Sequence, residues 1–444
     1  MIFTSSLNVS TSALPLTYLG LPLSLQRPDR LSFQPLVDKI RRRLAGWKSS
    51  LLSRAGRVLL ASSVLSTIPV YWMSVFKLPQ WVIKEIDAIR RNFIWGSSHQ
   101  RGRATHLLSW DRVCLPKTFG GFGLLDLRTQ NVALLLRWLW RLYNNPNSLW
   151  SLFARCFYDK RDHNVPPLAW NSSGSFFWRD LFSFRFFFQL CTRSVIGSGL
   201  NTLFWYNDWG ASCLYSFFDS STPPLCRLIS LRNAVPVLHT LLPSPLTLQH
   251  SILFQAAASF TFTAQQDRME WKLHASGQYT ASSFYKHFIS VGKVSFPLNF
   301  LWKLKMPPSS KFFLLLLAHG RILTQDQLLK RNIPCTLGCL LCNNSSCETA
   351  KHLFLECPFS TCLWQHLGFN LPPILLNPDK PLLDCLLDLF ALAANQNHKK
   401  TVIATTLWGL WLERNNRTFR QESRRMGSIQ HWIIAEATLF MKSC

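Results

Sequence analysis

Cys339, Cys342, His352 and Cys357 stand in a C-x2-C-x9-H-x4-C arrangement in the last third of the chain. Two cysteines separated by two residues place both sulfurs on one ion from a tight knuckle. A histidine and a third cysteine downstream then close a tetrahedron. A closed set of four protein ligands leaves no open position, so it is the structural kind of zinc site, which folds a module and performs no chemistry. Cys347 competes as a ligand, because Cys342, Cys347, His352 and Cys357 are evenly spaced with four residues between each. Cys339 is the preferred partner of Cys342, since the two-residue gap makes the better knuckle. Glu348 and Lys351 are placed to support the ligand shell.

A second chemistry is electrostatic. Arg41, Arg42, Arg43, Lys48, Arg54 and Arg57 form the densest basic group, suited to neutralising phosphates. Trp47 lies among them and either stacks on a base or belongs to the core. Arg90, Arg91, Arg101 and Arg103 form a second candidate strip. Neither strip carries a named RNA-binding motif, so no base-sequence readout is implied. Gly120, Gly121 and Gly123 lack the G-x-x-x-x-G-K-[ST] pattern of a phosphate loop and read as a tight turn before a helix. Asp384 and Asp388 are one helical turn apart in a leucine-rich segment and read as a helix face. No Ser/His/Asp or Cys/His nucleophile set stands out.

The bulk composition agrees with an anionic partner. The 444 residues carry 48 Lys+Arg against 22 Asp+Glu, a formal charge of +26, which points to nucleic acid. The excess is steepest in residues 1–160, with 22 basic and 7 acidic side chains. Six of the 13 cysteines fall between Cys335 and Cys362. No charged n-region with an apolar h-region opens the chain, so no signal peptide is expected, and no apolar run reaches the ~18 residues a membrane span needs. The expectation is an intracellular protein, nuclear or cytoplasmic and not secreted, whose reduced, clustered thiols favour metal over disulfides.

The elements that must position these residues are mostly helical. Leu36, Ile40, Leu44 and Trp47 recur at helical steps from about Phe33 to Lys48. Ser53 is placed to cap a helix through Val58 and Leu65, and Pro79 to start one carrying Val82, Ile86, Ile89 and Phe93, stopped at Gly96. A helix runs from Asn131 to Tyr143. Around Asp267–Tyr279 the alternation of Met269, Trp271 and Leu273, followed by Gly277, predicts a short hairpin. Helices follow at Ala281–Ile289, at Phe312–His319, and from a Thr324 cap through Leu329. The fold class is therefore mainly α with a small β hairpin (α+β). Four consecutive parts are expected: a helical region at 1–150, a loop-rich connector at 151–270, a zinc-stabilised helical module at 271–367 and a helical tail at 368–444.

Several stretches resemble the reverse transcriptases of plant LINE-type (non-LTR) retrotransposons. They are Tyr18-Leu-Gly-Leu-Pro-Leu23, Gly46-Trp-Lys48, Leu52-Ser-Arg-Ala-Gly-Arg57, Phe93-Ile-Trp-Gly96, Trp110-Asp-Arg-Val-Cys-Leu-Pro-Lys117 and Phe204-Trp-Tyr-Asn-Asp-Trp209. From about Tyr279 to Leu367 the chain is similar to the zinc-binding domain of those enzymes, through Lys305-Met-Pro307, Arg321-Ile322, Cys339-Leu-Leu-Cys342, His352-Leu-Phe354, Cys357 and Trp364. Trp411-Leu-Glu-Arg-Asn415 matches the segment that follows it. The resemblance implies a thumb or connector region at 1–150 and the zinc-binding domain at 271–367. A polymerase needs paired palm aspartates to hold Mg²⁺, and the chain has no Asp-Asp pair. The expectation is a non-catalytic, zinc-binding C-terminal part of such a polyprotein. It would hold RNA or DNA, take no small-molecule substrate, and leave polymerisation to a reverse transcriptase acting in trans. The alternatives are a protein-interaction module for a partner polymerase or host factor, and a decayed remnant.

Overall fold

The computed structural model describes residues 14–47, 51–96, 106–158, 174–205, 207–209, 229–237 and 261–442, apart from positions 344, 346, 376, 378, 394 and 395. Lys48, Arg101, Arg103 and much of the connector expected at 151–270 lie outside them. The described chain is mainly helical with two small antiparallel two-stranded sheets. No helix among the described residues is long and apolar enough to cross a membrane.

The first sheet is a hairpin of β1 (Leu16–Tyr18) and β2 (Leu21–Leu23), in register Tyr18↔Leu21. Its turn puts Leu19 at φ 50° and Gly20 at φ 78°, the left-handed pair that a two-residue hairpin turn requires. Among the helices that follow are α1 (Arg30–Ala45), α2 (Arg54–Leu60), α3 (Gln80–Trp95) and α4 (Leu127–Asn144). Ser53 caps α2 by accepting the Gly56 N–H at 3.1 Å. Asp126 caps α4 through the Thr129 N–H at 2.7 Å. The second sheet joins β3 (Thr192–Val195) to β4 (Arg268–Trp271). Beyond it come α5 (Ala281–Ser290), α6 (Pro308–Ala318), α7 (Pro358–His366), α8 (Asn397–Phe419) and α9 (Met426–Lys442).

The strand expected near Met269 and Trp271 exists, but its partner corrects the expectation of a local hairpin. β4 pairs with a strand more than 70 residues upstream, Thr192 facing Trp271. Strand alternation shows which face is apolar and says nothing of which backbone completes the ladder.

Compactness divides the chain into two interleaved units. The first comprises Met1–Arg42, Thr67–Ile86 and Asp126–Val291, the second Arg43–Ser66, Asp87–Leu125 and Gly292–Cys444. In the first unit α5 packs on α4 over a core containing Leu136, Trp140, Trp178, Phe188, Trp271 and Phe284. Trp271, fully buried, donates its indole N–H to the Ser283 hydroxyl at 2.8 Å and meets the Tyr279 ring edge-on at 4.7 Å. Asn131 is the polar hinge of this unit. Its Oδ1 accepts the Leu78 N–H, and its Nδ2 donates to the Met73 and Phe76 carbonyls, each at 2.8 Å.

In the second unit α6 packs against α2 and α8, with Phe313 near Phe354, Trp408 and Trp411. Arg90, expected in a surface strip, is fully buried here. It pairs with Asp87, donates to Ser66 Oγ and the Leu125 carbonyl at 2.9 Å, and lies over the Trp110 ring. A buried guanidinium persists only with such partners, so Arg90 cross-links the unit and does not face phosphate. His319 bridges Gly120 O at 2.8 Å and Arg112 Nη1 at 3.3 Å. The neutral ring with its proton on Nε2 satisfies both contacts.

Two outcomes follow. Replacing Asn131 with Leu keeps the branched outline of the side chain and orphans three backbone groups, so unfolding followed by tryptophan fluorescence in urea should show a loss on the order of 3 kcal/mol; a change near zero would remove the hinge role. Burial pushes the His319 imidazole down, with Arg112 and Arg321 adding to the fall and the Gly120 contact opposing it. A folded value below the ordinary one means the unfolded chain binds the proton more readily, so this contribution is full above about pH 6.5 and is lost as pH falls through the folded value. Wild type should therefore lose more stability than His319→Gln between pH 7 and about 5; parallel curves would refute the assignment.

Candidate metal centre

Two short segments deliver the ligands. Gly338, at φ 103°, turns the chain into the knuckle, and the Asn343 N–H closes it on the Cys339 carbonyl at 2.8 Å. On the other side His352–Glu356 forms a wide helical turn, in which the Cys357 N–H reaches back five residues to the His352 carbonyl at 2.7 Å. Leu353, Phe354 and Leu355 within that turn are fully buried. Anchoring them presents His352 and Cys357 together. Pro358 then opens α7, whose missing N–H is harmless at that position.

The donor atoms of Cys339, Cys342, His352 and Cys357 lie within 4.8 Å of one another. Zinc bonds near 2.3 Å to sulfur and 2.0–2.1 Å to nitrogen imply tetrahedral edges of about 3.8 Å between sulfurs and about 3.6 Å between sulfur and nitrogen. The structure has 3.9 Å between the sulfurs of Cys339 and Cys357, and 3.5 Å between Cys342 Sγ and His352 Nε2. Three thiols and one imidazole at this spacing fit Zn²⁺ in both chemistry and size. Cys347 is exposed and outside the group, and Cys335 and Cys362 are likewise not part of it.

The sulfurs are not equivalent. The Cys339 thiol beside it, together with the Ser360 and Phe359 N–H groups at the start of α7, holds Cys357 below the ordinary thiol range. The same contact with Cys357, and burial, push Cys339 up. The thiolate is the ligand form, and backbone N–H groups favour it at both sulfurs, from Ser360 and Phe359 at Cys357 and from Cys342 and Leu341 at Cys339.

Around the ligands lies a polar frame that motif reading only partly reached. Gln325 is buried, donates to the Gly338 carbonyl at 2.5 Å, and accepts the Gly338 and Glu348 N–H groups at 3.1 and 2.9 Å. One side chain thus ties the entry of the knuckle to its exit. Arg417, on α8, donates to the Leu340 and Leu341 carbonyls at 3.0 and 3.3 Å and to Glu413 at 2.9 Å. Glu348 supports the shell indirectly, through a buried pair with Arg414 at 2.9 Å. Lys351 pairs with Glu356 at 3.6 Å. Thr324 stands at the helix start as expected, yet its hydroxyl donates to Asp326 and does not cap. The Glu413/Arg417 spacing of four was a readable signal; the destination of Gln325 was not.

The candidate phosphate-gripping residues are arranged differently. Arg41, Arg42, Arg43 and Arg54 are exposed, with Arg41 paired to Asp38 and Glu85. Arg57 is buried and donates to the Gly96 carbonyl at 2.5 Å. That corrects its expected role, because a guanidinium facing a carbonyl inside the fold is not offered to a polyanion. Trp47 packs on Phe93 with ring centres 5.3 Å apart, the core alternative. Arg91 lies over the Trp110 ring.

Residues 279–364 match the family described as zinc-binding in reverse transcriptase. With the four-donor group, this makes the centre a structural zinc site. The chain is also 28% identical over 360 residues to an Arabidopsis thaliana protein named "Putative ribonuclease H protein", covering 78% of this chain and 57% of that one. It is 29% identical over 143 residues to an uncharacterized mitochondrial protein of Arabidopsis thaliana, covering 32% of this chain and 92% of that protein. These likenesses support a relation to reverse-transcriptase-bearing retroelements. The chain thus spans a little over half the length of the larger relative.

Zinc, when bound, supplies a cross-link between knuckle and turn. Arg417→Ala should weaken zinc affinity by about 10–100-fold, since it frees the Leu340–Leu341 carbonyls that set the knuckle. Competition with a chromophoric chelator measures this, and an unchanged constant would show that the frame does not tune the site.

Proposed function

We propose that this chain acts by binding and catalyses no reaction: a zinc-stabilised part of a LINE-type retrotransposon protein of the plant kind that holds RNA or DNA on a basic surface. The observation that carries the reading is the closed Cys3His set, whose four protein donors would fill a tetrahedral zinc and leave no position for substrate or water. The charge of +26 supplies the second support, because such an excess draws polyanions. Exposed Arg41, Arg42, Arg43 and Arg54 are the side chains we assign to phosphate contact. Polymerisation would belong to a reverse transcriptase supplied in trans, in the nucleus or cytoplasm.

On this reading affinity for RNA and DNA falls steeply with salt. Each phosphate neutralised contributes about −0.9 to the slope of log K against log salt on duplex DNA, and about −0.7 on single strands. Reversing Arg42 and Arg43 together to Glu should flatten that slope by about 2. Salt-independent binding, or degradation of the probe by the zinc-loaded chain, would overturn the proposal.

A further inference from the structure

A cleft of about 1190 Å³ opens in the first unit, on residues of β3, β4, α5 and the turn between β4 and α5. Three cations, Arg193, Lys272 and Lys286, line it together with His274 and His287, against one carboxylate, Glu270. That carboxylate is already engaged, by Arg193 at 2.9 Å and by Arg268 at 3.2 Å. Lys272 pairs with Asp208. The Lys286 ammonium has no partner among the described residues, and the side chain is exposed. His274 Nδ1 accepts the Ser276 N–H at 3.2 Å, so its proton sits on Nε2, which remains a donor. Ser276, Thr280 and Ser282 add hydroxyls. The lining therefore has donors in excess of acceptors and positive charge in excess of negative.

We propose that this cleft binds phosphate esters. Phosphate offers several acceptor oxygens and a compact negative charge, which matches an ammonium, a guanidinium and an imidazole N–H spread around one space. The volume exceeds the 300–1,000 Å³ usual for a single small molecule, so successive phosphates of a polynucleotide strand fit it better than one nucleotide does. Trp271 is part of the lining but is almost wholly buried and offers no face for stacking, so the grip is on the backbone and indifferent to base. The polymer source rests on the nucleic-acid reading above; the cleft itself does not involve Arg41, Arg42, Arg43 or Arg54.

The test uses the full zinc-loaded chain, a labelled oligothymidylate followed by fluorescence anisotropy across a salt series, and AMP as competitor. Lys286→Ala should weaken binding and reduce the salt slope by about 1, with Lys286→Glu weaker again and both keeping wild-type zinc content and thermal midpoint. Competition by AMP in wild type that disappears in Lys286→Glu would assign the site to a free nucleotide. If Lys286 variants bind both probes like wild type while the Arg42/Arg43 double variant is weakened, the cleft proposal falls and the basic surface stands. The reverse pattern supports the cleft and removes the surface. Wild type that binds neither probe sinks both.

Discussion

Convergence of four donors from two chain segments is the constraint on which the second unit is built. Three thiols and an imidazole have little attraction for one another, and zinc binding to such a set is itself folding free energy. The chain must therefore bring a knuckle and a turn within bonding reach by other means. Gln325 joins Gly338 to Glu348, Arg417 holds the carbonyls at the knuckle's tip, and the buried Leu353–Phe354–Leu355 run fixes the opposite arm. Remove these and the cysteines become ordinary thiols on a loop.

The frame is costly in isolation. Glu348 and Arg414 are almost wholly buried, and Glu413 lies buried beside Arg417. Losing one member of such a pair leaves an uncompensated charge, typically worth about 3–5 kcal/mol. Both arginines project from α8, so the helix following the matched domain contributes to its metal centre. The ligands all lie within positions 279–364, while the residues that orient them extend beyond.

Among the described residues the first unit has no such group of metal ligands. Aromatic packing around Trp271 and Trp140 supplies burial, and Asn131 satisfies backbone groups where the segment at 73–78 meets α4. The two units illustrate a common division: one is held by apolar area and amide bonds with its charge pairs near the surface, the other adds buried charge pairs and a set of metal ligands to a similar apolar base. The cleft lined by Lys286 belongs to the first, where that side chain stays exposed while Arg193 and Lys272 pair with Glu270 and Asp208.

Helices α1 and α3 were legible because their apolar residues repeat at helical steps, α6 as a continuous apolar run after two prolines, and the ends of α2 and α3 because Ser53, Pro79 and Gly96 have strong terminal preferences. The metal set was legible because ligand chemistry demands particular residue types at short spacing. Arg90 and Arg57 were not, since an arginine's composition signal is the same whether it faces solvent or a buried carbonyl. The sheet partner of Trp271 was equally hidden, because pairing across more than 70 residues leaves no local trace.

Residue order alone decided which groups could ligate a cation and where helices begin, both being local matters of bond geometry and side-chain preference. Three-dimensional packing decided which cations stay exposed, which cysteine is left out, and that Gln325 and Arg417 brace the knuckle. Those outcomes depend on burial and on contacts between distant segments, quantities that exist only once the chain has closed on itself.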